Sequence, residues 1–374
     1  MTPRQRYIEA LTFGRPDKIP FRPGGPREST LKAWHAQGLP QGANWHECLL
    51  ETLGIEPEPA VSAPRLGVDF RMIPQFEEKV LEHRDGHYVV QDWKGNVCEI
   101  SDEFDVTYLR HAKDFCTRRW LRCPVGGRDD WERMKLRYDV DAPGRLPDDF
   151  DDRCRAAAGR ETILSIGVSG PFWQMREWCG FEGLCMMMID QPDLVAEMAA
   201  FWTDFVAAVL QRVLARAVPD CVHISEDMAY KAKAMISPAM TREFCLPSWV
   251  RWSGLLGEAG CPVIDMDSDG YVGELIPLWI ESGINVCDPI EVAAHNDINA
   301  FRAEFGHRIA FRQGVDKRAI AAGGEVIRAE LKRLEPLVED GGFIPGCDHG
   351  VPSDISWPAF VDYARLLGRM TGWL

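Results

Sequence analysis

Val263-Ile264-Asp265-Met266-Asp267-Ser268-Asp269-Gly270 is a short apolar run that stops abruptly on acids and a glycine. The same event recurs near the C-terminus, where Phe343-Ile344-Pro345-Gly346-Cys347 runs into Asp348-His349-Gly350. A β-strand that ends on chemically reactive residues is the signature of a (β/α)₈ barrel, which keeps its chemistry at the C-terminal ends of its strands. Two carboxylates one residue apart, joined by a histidine from another strand, suit an oxygen-rich metal site or an acid/base cluster.

Working outward from these two stretches, further strand candidates lie at 162–168, 221–226, 284–288 and 309–314, beside 262–267 and 343–347. Amphipathic helical patterns separate them. The clearest is Leu194, Val195, Met198, Phe201, Phe205, Val209 and Val213, spaced by three and four residues. Two earlier runs, Ile19-Pro20-Phe21-Arg22 and Gly67 to Met72, bring the count to eight. The expectation is one α/β domain over 1–374: a (β/α)₈ TIM barrel with strands ending near Arg22, Arg71, Ser169, Glu226, Asp267, Asp288, Gly314 and Cys347. Thr2-Pro3 and Ser237-Pro238 read as helix N-caps followed by proline at the first helical position. Residues 28–60 read as helical cover. Between 79 and 100, polar and apolar residues alternate around Asp85-Gly86 and Lys94-Gly95-Asn96, which predicts an inserted antiparallel hairpin.

Composition narrows the function. Lys and Arg number 42 against 57 Asp and Glu, for a net charge of -15, so no basic face is expected for nucleic acid or an anionic membrane. No run is long and apolar enough to span a bilayer, and the first residues lack a signal core. The twelve cysteines form no Cys-x-x-Cys pair, and several sit in apolar runs, as Cys221, Cys261 and Cys287 do. Buried free thiols in a reducing cytoplasm are the expectation.

The strand ends supply the candidate residues. Arg22 and Arg27 flank Pro23-Gly24-Gly25-Pro26 and suit a carboxylate or phosphate clamp; surface ion pairs are the alternative. Alternation along the strand at 221 places His223, Ser225 and Asp227 on one side and Glu226 on the other. Glu226 is read as functional, with an ion pair to Lys231 or Lys233 as the alternative. Asp265, Asp267 and Asp269 occupy alternate positions; three carboxylates facing one cavity need a cation, protons or basic neighbours. The alternative has Asp269-Gly270 capping a helix and Asp265 pairing with an arginine. Asp316 is a catalytic candidate whose alternative role is to cap the helix starting at Lys317. His349 joins this cluster. No Gly-x-Gly-x-x-Gly loop, Walker motif or Ser/His/Asp order is present.

The stretches MTPRQRYIEALTFGRPDKIPF, GVSGPF, EDMAYKAKAMISP, VIDMDSDG and GGFIPGCDHGVPSD together resemble the uroporphyrinogen decarboxylase superfamily, which includes corrinoid-linked zinc methyltransferases. The resemblance spans nearly the whole chain and implies a TIM barrel. The decarboxylases grip substrate carboxylates with an Arg-Gln-Ala-Gly-Arg loop, which Arg22 to Arg27 replaces with a longer, altered stretch. The zinc methyltransferases place His-x-Cys-Gly on the strand matching 263–270 and Cys-Gly near the C-terminus. Here those positions read Asp267-Ser268-Asp269-Gly270 and His349-Gly350.

The resemblance therefore implies Glu226, Asp267, Asp269 and His349 as ligands of a divalent metal, zinc foremost, with Glu226, Asp227 and Asp316 catalytic. Arg22, Arg27, His223 and Asp265 are expected to bind substrate. The expected activity moves a methyl group from a small O- or N-methylated compound to a separate corrinoid protein. A homodimer is among the expected assemblies. The competing expectations are a tetrapyrrole decarboxylase and a non-catalytic tetrapyrrole binder.

Overall fold

The computed structural model describes residues 1–105, 108–111 and 117–374. Two sheets organise it. The first is antiparallel and four-stranded, built in order from β1 (Lys79–Arg84), β2 (His87–Gln91), β3 (Val97–Ser101) and β4 (Arg118–Arg122). The expected hairpin at 79–100 is thus present, and it is extended by β3 and β4. Asp85-Gly86 turns β1 into β2 with both residues at positive φ, the requirement of a tight hairpin turn.

The second sheet is parallel and six-stranded. Its strands are β5 (Ser165–Ser169), β6 (Cys221–Ser225), β7 (Val263–Asp267), β8 (Val286–Asp288), β9 (Ala310–Val315) and β10 (Phe343–Cys347), side by side in chain order. Each expected strand from 162 onward forms within a few residues of its predicted bounds. The two early ones do not. Residues 19–22 and 67–72 form no regular strand, so the expected eight-stranded barrel is corrected to a six-stranded parallel sheet flanked by irregular segments.

The reason is local. Pro20, Pro23 and Pro26 lack the N–H a ladder needs, and Gly24 and Gly67 adopt left-handed φ values of 114° and 75° that break an extended run. The 22–27 segment still lies along the end of β10: Cys347 N donates to Pro23 O, and Val351 N donates to Gly25 O. A side chain on Gly24 would place its Cβ 2.8 Å from that of Cys347. Residues 67–72 bond instead to the 137–145 loop, through Asp69 N to Arg145 O and Ile73 N to Arg137 O.

Strand alternation sets what the parallel sheet presents on the side that meets the first helix. Cys221, Val263, Val286, Ala310 and Ile344 pack against Tyr7, Ala10 and Leu11 of the first helix, Pro3–Leu11. That helix begins with the expected Thr2 cap and proline, completed by Gln5 as a capping box. Two residues further along four of these strands, the same side carries His223, Asp265, Asp288 and Arg312. An apolar floor thus gives way to a charged layer within one repeat.

The other side of the sheet is covered by helices. The long one, Pro192–Leu214, buries Leu194, Val195, Met198, Phe205, Val209 and Val213, as the sequence spacing predicts. Two buried indoles tie helices to strand ends: Trp202 Nε1 donates to Ser169 O, and Trp249 Nε1 donates to Glu226. Among the described residues no helix is long and apolar enough to cross a membrane. Cys221, Cys261 and Cys287 are buried free thiols, as expected.

Candidate active site

The charged layer is one connected network. Arg312, from the middle of β9, donates through Nη1 to Asp265 and to the Tyr7 hydroxyl, and its Nη2 lies 3.1 Å from Asp288. His223 sits between two acids, with Nδ1 2.9 Å from Asp265 and Nε2 3.3 Å from Asp267. Asp265 is fully buried. Burial disfavours its charge, but Arg312 and His223 outweigh that and hold it below the ordinary carboxylate range. Asp288 is also buried, and there desolvation wins, moving its pKa up to about 7 against the pull of Arg312. Burial works against the His223 imidazolium, yet Asp265 and Asp267 lift its pKa to about 10.

A second cluster lies at the ends of the strands. His349 Nε2 is 2.9 Å from Asp269, a residue eighty positions away in sequence. Gly350 N donates to His349 Nδ1 at 2.7 Å, and Arg27 approaches the same nitrogen at 3.2 Å. With Nδ1 accepting, the ring proton sits on Nε2 and is donated to Asp269. That carboxylate also raises the histidine's pKa. Asp227 turns out of β6 with a left-handed φ of 43° and accepts from Asp269 N at 3.3 Å. Its carbonyl is held by Arg176. Desolvation first, then repulsion from Asp269 and Asp267, carries the Asp227 pKa up to about 6. Asp227, Asp267, Asp269 and His349 therefore share one mouth.

Several expected residues have other work. Glu226 is fully buried on the opposite side from Asp227, where it accepts from Trp249 Nε1 at 2.7 Å and Trp173 N at 3.0 Å. Desolvation brings its pKa up to about 8. It meets neither the metal set nor the exposed Lys231 and Lys233, so its assignment as ligand and catalyst is corrected to that of an anchor. The anchor is tight: a Cβ on Gly170 would stand 2.1 Å from the Glu226 carboxyl carbon. Asp316 caps the helix Lys317–Ala322 by accepting from Arg318 N, and it pairs with the Arg318 guanidinium. It performs the capping role that the sequence offered as its alternative. Asp265, expected to touch substrate, is sealed inside the Arg312 pair.

Among the described residues, the one group of three or more acids, histidines or cysteines with donor atoms within 4.8 Å of one another is His223, Asp265 and Asp288. The expected quartet of Glu226, Asp267, Asp269 and His349 is not gathered within reach of one ion. The deep trio leaves Asp265 Oδ1 and Asp288 Oδ1 buried without partners, but Arg312 already supplies its positive charge. At the mouth, Asp269 and His349 touch, but among the described residues no third acid, histidine or cysteine brings a donor atom within that distance of both.

Two cavities flank these clusters. One of about 370 Å³ lies between the end of β5 and the β2–β3 hairpin tip, walled by Trp93, Lys94, Trp173 and Glu177. The other, about 480 Å³, is lined by Arg22, His46, Arg312, Gln313 and His349 with aromatic neighbours. Arg312, Asp288, Gln313 and His46 were missed in the sequence. A charge inside an apolar strand was the available signal for Arg312 and Asp288, whereas His46 lies on cover helix Trp45–Leu53, which carries no strand-end cue.

Residues 124–360 match the family model described as uroporphyrinogen decarboxylase (URO-D). A curated uroporphyrinogen decarboxylase from Aromatoleum aromaticum is 25% identical over 252 residues, which is 60% of this chain and 64% of that protein. The chain thus spans somewhat under two thirds of that relative's length. A solved methyltransferase from Methanosarcina mazei superposes over 98% of both chains with a TM-score of 0.54 at 14% identity, a likeness of fold. With the family model matched over more than half its length, the chain belongs to the uroporphyrinogen decarboxylase family.

Proposed function

We propose that the chain is a metal-dependent methyltransferase that moves a methyl group from a small O- or N-methylated compound to a corrinoid carried on a separate protein. The observation that supports this best is the 2.9 Å contact between Asp269 and His349. These two stand where the family's zinc methyltransferases are recognised by their cysteines, so positions far apart in sequence adjoin as a ligand pair requires. A divalent ion held by the Asp269 and His349 pair, with its remaining positions open to the donor, would act as a Lewis acid toward the donor's oxygen or nitrogen.

The chain's own residues define the rest of the reading. His223 stays charged and holds Asp267 toward the mouth from behind. Arg176 fixes the Asp227 backbone in its strained turn, so the carboxylate faces Asp269 rather than following Glu226 into the core. Arg22 gives the adjoining cavity a cation. Each cavity is of a size that takes a small molecule.

The second reading, decarboxylation of a tetrapyrrole, is favoured by the family name and by Arg22. It meets an obstacle in the mouth: three carboxylates there repel a substrate that carries many of its own. The deciding assay supplies the purified protein, made without chelator, with reduced corrinoid protein and a panel of O- and N-methylated compounds, and separately with uroporphyrinogen. Methyl-corrinoid formation is expected in the first and no product in the second. Coproporphyrinogen formed at a rate indifferent to metal and corrinoid would establish the second reading instead.

A further inference from the structure

Acids outnumber bases across this chain, for a net charge of -15, yet one cavity reverses that balance. It measures about 330 Å³ and lies between the antiparallel sheet and the helix Arg128–Lys135. It shares no lining residue with the two cavities described above. Three arginines line it: Arg122 at the end of β4, Arg133 on the helix and Arg137 just after it. The one carboxylate in the lining, Asp130, is already engaged. Its Oδ1 accepts from Arg133, and its Oδ2 accepts from Gly126 N at 3.0 Å. Three guanidiniums against one carboxylate leave two positive charges in the cavity.

Arg137 is held in place before anything binds. Its guanidinium carbon lies 3.8 Å from the centre of the Phe76 ring, and its Nη1 donates to Pro74 O at 2.7 Å. Ile73 N, donating to Arg137 O at 2.7 Å, fixes the backbone beneath. Phe76 in turn depends on Gly95, where the β2–β3 turn passes through a φ of 88°. A Cβ there would stand 2.8 Å from the Phe76 ring. Ring and carbonyl set the plane of the Arg137 fork, and its remaining N–H groups have no partner among the described residues. The Arg122 side chain likewise has no ion-pair or hydrogen-bond partner among the described residues. A planar fork already stacked and bonded loses less freedom on gripping an anion than a solvated surface arginine does.

We infer that this cavity binds a small phosphate monoester, with Arg137 and Arg122 on the phosphoryl oxygens and Arg133 adding charge from its pair with Asp130. Two net positive charges match the dianion that such an ester carries above about pH 6. The guanidinium forks match its oxygens, and the volume admits a small body beyond the phosphoryl group. This site is independent of the methyltransferase reading, and neither needs the other.

Calorimetric titration of the full chain with glycerol phosphate, and separately with inorganic phosphate, tests the inference at constant ionic strength. Glycerol phosphate should bind the wild type at neutral pH and bind less well as pH falls through about 6, where it becomes a monoanion. Arg122→Gln and Arg137→Gln should each weaken it roughly tenfold or more, as expected for loss of a charged hydrogen bond. Arg137→Lys should be intermediate, because it keeps the charge but loses the fork. Asp130→Asn should tighten binding several-fold, since the amide oxygen can still accept from Gly126 N while the opposing charge is gone. Arg122 is exposed, so its variant reports on the site even if Arg137→Gln fails to fold. The inference is overturned if glycerol phosphate fails to bind the folded wild type at millimolar concentration, or if Arg122→Gln binds it as well as wild type. It is also overturned if inorganic phosphate binds and the ester is excluded. Loss of binding in Arg22→Gln, with wild-type affinity in Arg137→Gln, would place the ester at the mouth and overturn it as well.

Discussion

The deep network and the mouth cluster lie two residues apart along β7, at Asp265 and at Asp267 to Asp269, and both are built from carboxylates and a histidine. They differ in whether the charges are matched. In the deep layer Arg312 bridges Asp265 and Asp288, and His223 completes the neutralisation. At the mouth, Asp267 pairs with His223 and Asp269 with His349, while Asp227 forms no ion pair among the described residues and is raised by desolvation and by repulsion from Asp269 and Asp267. A matched buried network holds a fold in one arrangement, while an unmatched, half-exposed one has something still to bind. The deep layer is the more fully paired of the two, and the mouth keeps an acid without a cation partner among the described residues.

The largest expected effect comes from breaking the match. Arg312→Met strands two buried carboxylates and should cost about 3–5 kcal/mol of unfolding free energy, measurable by urea denaturation. If the loss is under about 1 kcal/mol, the deep layer is not the matched network described. Next comes Gly170→Ala, which drives a Cβ into the Glu226 carboxyl group. It should destabilise by about 1–3 kcal/mol without altering metal retention, because Glu226 is an anchor. Loss of metal with stability intact would return Glu226 to the site.

A third test is a pH slope. The folded-state pKa of His223, about 10, lies above the unfolded value of 6.5. Its stabilising contribution is therefore complete below about pH 6.5 and is lost as pH rises through about 10. Unfolding free energy should fall over that window in the wild type more steeply than in His223→Gln. Equal slopes in the two proteins would mean that His223 is not held as an imidazolium.

The difference between matched and unmatched charges also marks where the sequence was readable. Strand existence from residue 162 onward follows from apolar runs bounded by turn residues, and β10 has the predicted bounds. The two early segments failed because prolines and left-handed glycines sit inside runs that are otherwise apolar enough to pass. Glu226 was chosen for its charge, although the same strand alternation that put Asp227 with His223 also placed Glu226 on the far side. That constraint outweighed the chemistry. Asp265 pairing with an arginine and Asp316 capping a helix were both open alternatives; the tertiary contact with Arg312 selects the first, and the local bond from Arg318 N selects the second. Gln313 had no sequence signal, since a left-handed turn inside a strand is visible only in the backbone.

Zinc stoichiometry tests the central claim most directly, measured by elemental analysis of wild type, Asp269→Asn and Asp288→Asn after exhaustive dialysis without chelator. The mouth assignment predicts about one bound ion per chain in the wild type and in Asp288→Asn, and none in Asp269→Asn. Retention by Asp269→Asn together with loss in Asp288→Asn would contradict it, placing the ion in the deep layer that Arg312 is here taken to fill.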